Sequence, residues 1–281
     1  MTSTVTNISQ SIPELTPFEK YVKRNELTHD VATKLKNVLG RCKIVLLADD
    51  SGSMESEIKE PNGKVTTRWQ ELKTLAAKLV ELITVTNEDG LDIYFLNRGQ
   101  MFGVKDLFKL ADIFSAQPSG GTPLGQRIEQ IRTDNNAILN RKELLILTIT
   151  DGHPTDRGNF EDSKTYFEES LQIVTKGGRV HVSICECTDR PEDMDYLDEL
   201  DGKITNFDNT DDYREVLQKI RQKYGPNFKF DYNDYMIKIV LATFYRDYYN
   251  LDQPTRVAYN YNNYASSNYT SKDQNGCCII L

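Results

Sequence analysis

The sequence predicts a doubly wound α/β domain: a mostly parallel central sheet with helices on both faces, plus helical flanks. Three observations predict it. Residues 43–48, 144–150 and 180–187 are continuous apolar runs, the pattern of parallel strands covered on both faces. Amphipathic segments of helical period separate these runs, so strand and helix alternate along the chain. Short loops rich in side-chain oxygen leave two of the strands, where open parallel sheets hold ligands.

Residues 1–17 are rich in Ser and Thr with two prolines and predict a flexible N-terminal arm. Residues 18–39 carry helical periodicity and form a helical flank. The domain itself spans 40–225. Within it the pattern gives a strand at 43–48, a helix at 68–83, a strand at 91–96, a short edge strand at 101–104, and helices at 105–114 and 122–136. The most buried strand, 144–150, comes next. A helix at 160–175, a strand at 180–187, a helix at 191–200, a short strand around Ile204 and a helix at 211–224 complete it. Residues 226–250 hold a C-terminal helix, read over 234–249 and packed on the domain. Residues 251–281 are a Tyr- and Asn-rich flexible tail.

Composition narrows the partners. Against 34 Lys and Arg stand 42 Asp and Glu, a net charge of −8, which disfavours nucleic acid and non-specific contact with anionic membrane. No run approaches the ~20 apolar residues of a spanning helix, and the polar first ten residues do not resemble a secretory signal. A cytoplasmic protein is the expectation. Cys42, Cys185 and Cys187 lie in apolar runs and read as core thiols rather than a disulfide framework.

Three loops carry the chemistry. Asp49-Asp50-Ser51-Gly52-Ser53 follows the first strand, Ser119-Gly120-Gly121-Thr122-Pro123 precedes a helix, and Asp151-Gly152 follows the 144–150 strand. Asp49, Ser51, Ser53, Thr122 and Asp151 offer two carboxylates and three hydroxyls with no thiolate or imidazole, a hard set that suits Mg²⁺ and tolerates Mn²⁺ or Ca²⁺. Gly52 is read as permitting the turn that brings both serines to one ion, and Gly120-Gly121 as allowing close backbone approach. Thr122 stands where an N-cap belongs, with Pro123 at the first helical position, so its hydroxyl has two employments, cap or ligand. Asp50 is expected to face solvent, and His153, without a paired nucleophile, to be structural.

Asp49-x-Ser51-x-Ser53, then Thr122, then Asp151 resembles the metal-ion-dependent adhesion site of von Willebrand factor A domains, over residues 42–225. The segments 91–97 and 150–156 look closer to intracellular members than to integrin or matrix ones. The resemblance implies that the serines and threonine contact the cation, the aspartates bind directly or through water, and the ion bridges to an acidic residue of a protein partner. It implies a non-enzymatic binding module.

Two rival readings use the same cluster. One is a Mg²⁺-dependent phosphoryl-transfer or hydrolase site, but no Lys or Arg stands in the three loops to stabilise developing phosphate charge. The other is a scaffold in which the metal is only structural. The end, Cys277-Cys278-Ile279-Ile280-Leu281, fits a C-a-a-X signal with Cys278 prenylated and Cys277 available for palmitoylation. A lipid anchor on the cytosolic face of a membrane is the expectation.

Overall fold

The alternation of apolar and amphipathic segments resolves, in the computed structural model, into strands and helices over residues 14–59, 63–87 and 89–252, the residues the structure describes. Two short helices come first, α1 (Pro17–Arg24) and α2 (His29–Arg41). The helical pattern over 18–39 breaks because Glu26 turns left-handed at φ 51° and the Thr28 hydroxyl caps a new helix by accepting from the Val31 amide. β1 (Cys42–Ala48) leads to a hairpin of β2 (Glu57–Lys59) and β3 (Val65–Thr67), then to α3 (Arg68–Thr84), β4 (Leu91–Phe95) and β5 (Met101–Val104). α4 (Leu107–Ile113), α5 (Leu124–Asp134), β6 (Glu143–Thr150), α6 (Phe160–Thr175) and β7 (Val180–Glu186) follow. The described chain ends with α7 (Asp195–Asp198), β8 (Phe207–Thr210), α8 (Tyr213–Tyr224), α9 (Tyr232–Leu241) and α10 (Arg246–Tyr249).

Six strands form the central sheet in the order β5-β4-β1-β6-β7-β8. All neighbours are parallel except β5, which closes the edge antiparallel to β4. The winding reverses between β1 and β6, which creates a crevice beyond their carboxyl ends. Val45 and Leu46 show why the strands read as unbroken apolar runs. Their side chains leave β1 on opposite faces, Leu46 into a core with α2, α3, α8 and α9, and Val45 into one with α5 and α6.

Three expected elements differ in detail. The strand placed around Ile204 lies instead at β8, where Asp208, Asn209 and Thr210 disguise it as polar; Lys238 Nζ donates to Thr210 Oγ1 at 2.9 Å and makes that polarity tolerable in the interior. The helix over 191–200 reduces to a 3-10 turn and the single turn of α7. The helix over 234–249 splits into α9 and α10, and at the break the Phe244 ring stacks on His181 with centroids 4.0 Å apart. Cys42, Cys185 and Cys187 are buried free thiols, pushed up by that burial. Cys277 and Cys278 lie outside the described residues, as do 1–13 and 253–281. No helix among the described residues is long and apolar enough to cross a membrane.

Candidate metal centre

β1 and β6 are neighbours in register, Ala48 opposite Ile149, so the residues that follow each strand emerge side by side at the reversal point. Asp49 and Asp151 are both buried there. The Asp49 carboxylate accepts from the Ser51 amide at 2.8 Å and from the Thr150 hydroxyl at 2.5 Å. Asp151 Oδ1 accepts from the Ser53 hydroxyl at 2.8 Å, and the Ser51 and Ser53 hydroxyl oxygens stand 3.0 Å apart. Since Ser53 spends its single proton on Asp151, Ser51 donates to Ser53. Four of the five expected residues are thus joined in one hydrogen-bonded chain.

Thr122 arrives by its backbone. Its amide donates to Thr155 Oγ1 at 2.7 Å, and its carbonyl accepts from the Thr155 amide at 2.9 Å, which ties its loop to the one after β6. The same loop is tied to the one after β1 by Ser119 N to Asp50 O, 2.7 Å, and Gly52 N to Gly120 O, 3.2 Å. The three loops therefore form one rim. The Thr122 hydroxyl itself makes no hydrogen bond among the described residues.

Of the two employments open to the Thr122 hydroxyl, the structure does not give it the cap. α5 begins at Leu124, with Pro123 at the cap position and no side-chain cap from its own segment. The carboxylate of Asp156 takes the free amides instead, Gly125 N at 3.2 Å and Gln126 N at 2.9 Å. A carboxylate at a helix start suits both its unpaired amides and its dipole. Thr122 is relieved of capping.

Gly120 and Gly121 meet the expectation of close approach. Gly120 has φ +105°, and a Cβ on it would lie 2.4 Å from Asn97 Oδ1; one on Gly121 would lie 2.7 Å from Thr155 Oγ1. Gly52 does not. Its backbone is ordinary and a Cβ there meets nothing within 4 Å, because the serines are brought together by a 3-10 turn, Gly52–Glu55, anchored by buried Met54.

Asp50, expected in solvent, is buried at 1% exposure. It accepts from Asn97 N at 2.8 Å and pairs with Arg98 Nε at 2.8 Å, while Asn97 Nδ2 also reaches Gly121 O at 2.8 Å. Asp50 and Asn97 thereby brace the second loop. His153 packs against Phe160, with centroids 4.1 Å apart, a structural place.

The residue that sequence reasoning missed is Arg68, the first of α3. Its Nη1 donates to Asp151 Oδ2 at 2.7 Å and its Nη2 to Asp189 Oδ1 at 3.1 Å. Both amino groups are committed to carboxylates. Nothing in the sequence flagged it, since it lies outside all three loops and contacts Asp151 across 83 positions.

Burial, and then the charge of Asp151, push the Asp49 carboxyl up to about 7. Two carboxylates held this close in a poorly hydrated place demand positive charge, and Arg68 meets only part of the demand. No group of three or more His, Cys, Asp or Glu side chains able to hold a metal gathers among the described residues. The donors beyond the two carboxylates are hydroxyls. The set is oxygen-only and open on the side of Ser53, which is exposed, and such a set fits a hard divalent cation with waters completing its shell.

No family model matches the chain, and no curated protein matches it. Among solved structures it is similar to the pilus adhesin SpaC from Lactobacillus rhamnosus GG, at 15% identity and a TM-score of 0.42, over 59% of this chain and 28% of that one. It is similar to proximal thread matrix protein 1 from the mussel byssus at 14% identity and a TM-score of 0.43, over 72% and 48%. The open conformation of SpaC is matched at 15% identity and a TM-score of 0.40, over 72% and 30%. The chain spans less than half the length of each, and its α/β class rests on its own strands and helices.

Proposed function

We propose that this chain is a non-enzymatic von Willebrand factor A-type binding module that takes up Mg²⁺ through Asp49, Ser51, Ser53, Thr122 and Asp151 and recognises an acidic residue of a protein partner through that ion. One observation carries the reading: at the mouth of the β1–β6 crevice the Ser51 amide joins buried Asp49 to the Ser51 and Ser53 hydroxyls, which run on to buried Asp151, with too little positive charge to neutralise the two carboxylates. The unengaged Thr122 hydroxyl supports it, since a cap for α5 is supplied from elsewhere. Mn²⁺ or Ca²⁺ would satisfy the same oxygens less selectively.

Calorimetry of the intact chain tests the reading. Mg²⁺ or Mn²⁺ should bind, and Asp49→Ala should abolish binding; an affinity unchanged by that substitution would sink the assignment. Capture of a protein partner from lysate should fail in EDTA and survive deletion of residues 253–281. The proposal extends to the end of the sequence, where Cys278, with Cys277, attaches lipid and holds the protein at the cytosolic face of a membrane. Cys278→Ser should move the protein from the membrane fraction to the soluble one in a prenylating cell.

A further inference from the structure

The geometry points to Arg68 as a built-in counter-cation that makes ion uptake at this site depend on a carboxylate ligand. The inference rests on the metal reading above. Arg68 stands where local rules would not put it. It is the first residue of α3, at the positive end of a helix dipole that favours Asp or Glu. Its side chain is only 6% exposed, and its Nε has no hydrogen-bond partner. A guanidinium placed so unfavourably is held there by its carboxylates, Asp151 at 2.7 Å and Asp189 at 3.1 Å.

Formal charge then gives the consequence. With both carboxyls ionised, as a bound cation requires, Asp49 and Asp151 contribute two negative charges and Arg68 one positive, a net single negative charge before the ion's own is counted. Nearby Asp50 has its own counter-charge in Arg98, and Asp189, with a side chain 46% exposed, is screened by water. A divalent ion would overshoot and leave one positive charge in a buried site. A ligand carboxylate removes it. Without Arg68 the ion alone would neutralise the two aspartates, and a carboxylate would add an uncompensated negative charge. Arg68 therefore weakens uptake of the ion by itself and couples it positively to an anionic ligand, and by linkage the ligand's affinity rises equally with the ion.

The test uses Mg²⁺ alone and Mg²⁺ with acetate, against sodium chloride of equal ionic strength, by calorimetry on the full chain. Wild type should bind Mg²⁺ weakly and more tightly with acetate. Arg68→Gln should bind Mg²⁺ roughly ten- to a hundredfold more tightly than wild type, as expected for removing a unit charge near a dication, and should lose the acetate effect. Arg68→Lys, which keeps the charge without the planar fork, should retain that effect; a role confined to the geometry of the pair would be lost in both variants. Unchanged or weaker Mg²⁺ binding in folded Arg68→Gln would overturn the inference. So would loss of acetate coupling in Arg68→Lys, the arm that decides if Arg68→Gln does not fold. Absence of Mg²⁺ uptake by wild type and both variants would overturn the metal reading itself, and this inference with it.

Discussion

Asp49→Asn should stabilise the ion-free protein while destroying its response to Mg²⁺. The carboxyl of Asp49 is raised from 3.8 to about 7, first by burial and then by Asp151. A folded-state value above the unfolded one means that the folded state holds the proton more tightly. Its contribution to stability is therefore fully present below 3.8 and is lost as pH rises through 7. At ~1.4 kcal/mol per unit, the full loss approaches roughly 4 kcal/mol above neutrality. Asparagine never ionises and keeps the acceptor for Ser51 N, but it gives up the charge-assisted bond from Thr150, a loss of about 1.5–3 kcal/mol. The net is a stabilisation of about 1–2 kcal/mol near pH 8, or ~2–8 °C in Tm for a domain of this size. Thermal melts in EDTA and in excess Mg²⁺, at about pH 8 and again near pH 5, measure it. The gap between the chains should narrow at the lower pH, and Mg²⁺ should raise Tm in wild type only. An Asp49→Asn chain less stable than wild type in EDTA near pH 8 would refute the reasoning, because Asp49 would then be part of the scaffold rather than a strained ligand.

Glu186, pushed up from 4.5 to about 9 by burial, sits protonated in the folded state, so wild-type stability should fall by up to ~1.4 kcal/mol per pH unit between those values. Glu186→Gln preserves the acceptor for Asn209 Nδ2 and should remove most of that slope in urea titrations; parallel slopes would contradict it. Asp156→Ala strips α5 of its cap from Gly125 and Gln126 and should lower stability by about 1–2 kcal/mol in thermal melts, a prediction that an unchanged Tm defeats. Gly120→Ala forces a Cβ to 2.4 Å from Asn97 Oδ1 at φ +105° and should cost about 1–3 kcal/mol along with most Mg²⁺ affinity. Gly52→Ala, opening into free space, should leave both nearly intact, and equal effects of the two substitutions would show the loop geometry to be irrelevant.

What the sequence made legible followed from constraints that are local or periodic. The runs through Val45, Ile146 and Val182 are apolar at consecutive positions because both faces of the sheet are covered, and their alternation with amphipathic segments marked them as strands of a parallel sheet. The loops after β1 and β6 were legible because each directly follows a strand that the apolar pattern marks. Gly120 was legible because a glycine pair before a helix signals a close backbone approach. Illegible were features settled by distant residues. β8 reads as a polar loop until Lys238 and Ser183 close over Asp208 and Thr210. α5 reads as capped by Thr122 until Asp156, 31 and 30 positions from the amides it accepts, takes them. Asp50 reads as solvated until Arg98 and Asn97, 48 and 47 positions away, bury it.

Arg68 is the sharpest case, and its invisibility follows from what a charged site has to solve. Two buried carboxylates accept any positive species that reaches them: a proton on Asp49, a guanidinium on Asp151, or a dication between the two. A sequence motif names the carboxylates, because their spacing is fixed by the loops that carry them. It does not name the competing cation, which needs only to arrive at 2.7 Å and is free to come from any neighbouring element. Here it comes from the start of α3, against the helix dipole, where propensity alone would have favoured an acid. On the proposed reading the motif names the atoms that would take up an ion, whereas the strength of uptake and its dependence on a ligand's charge would be set by Arg68, a residue outside the motif. On that reading, a chain with the same five donors and a neutral residue at position 68 would hold the ion alone more tightly and lose its coupling to an anionic ligand.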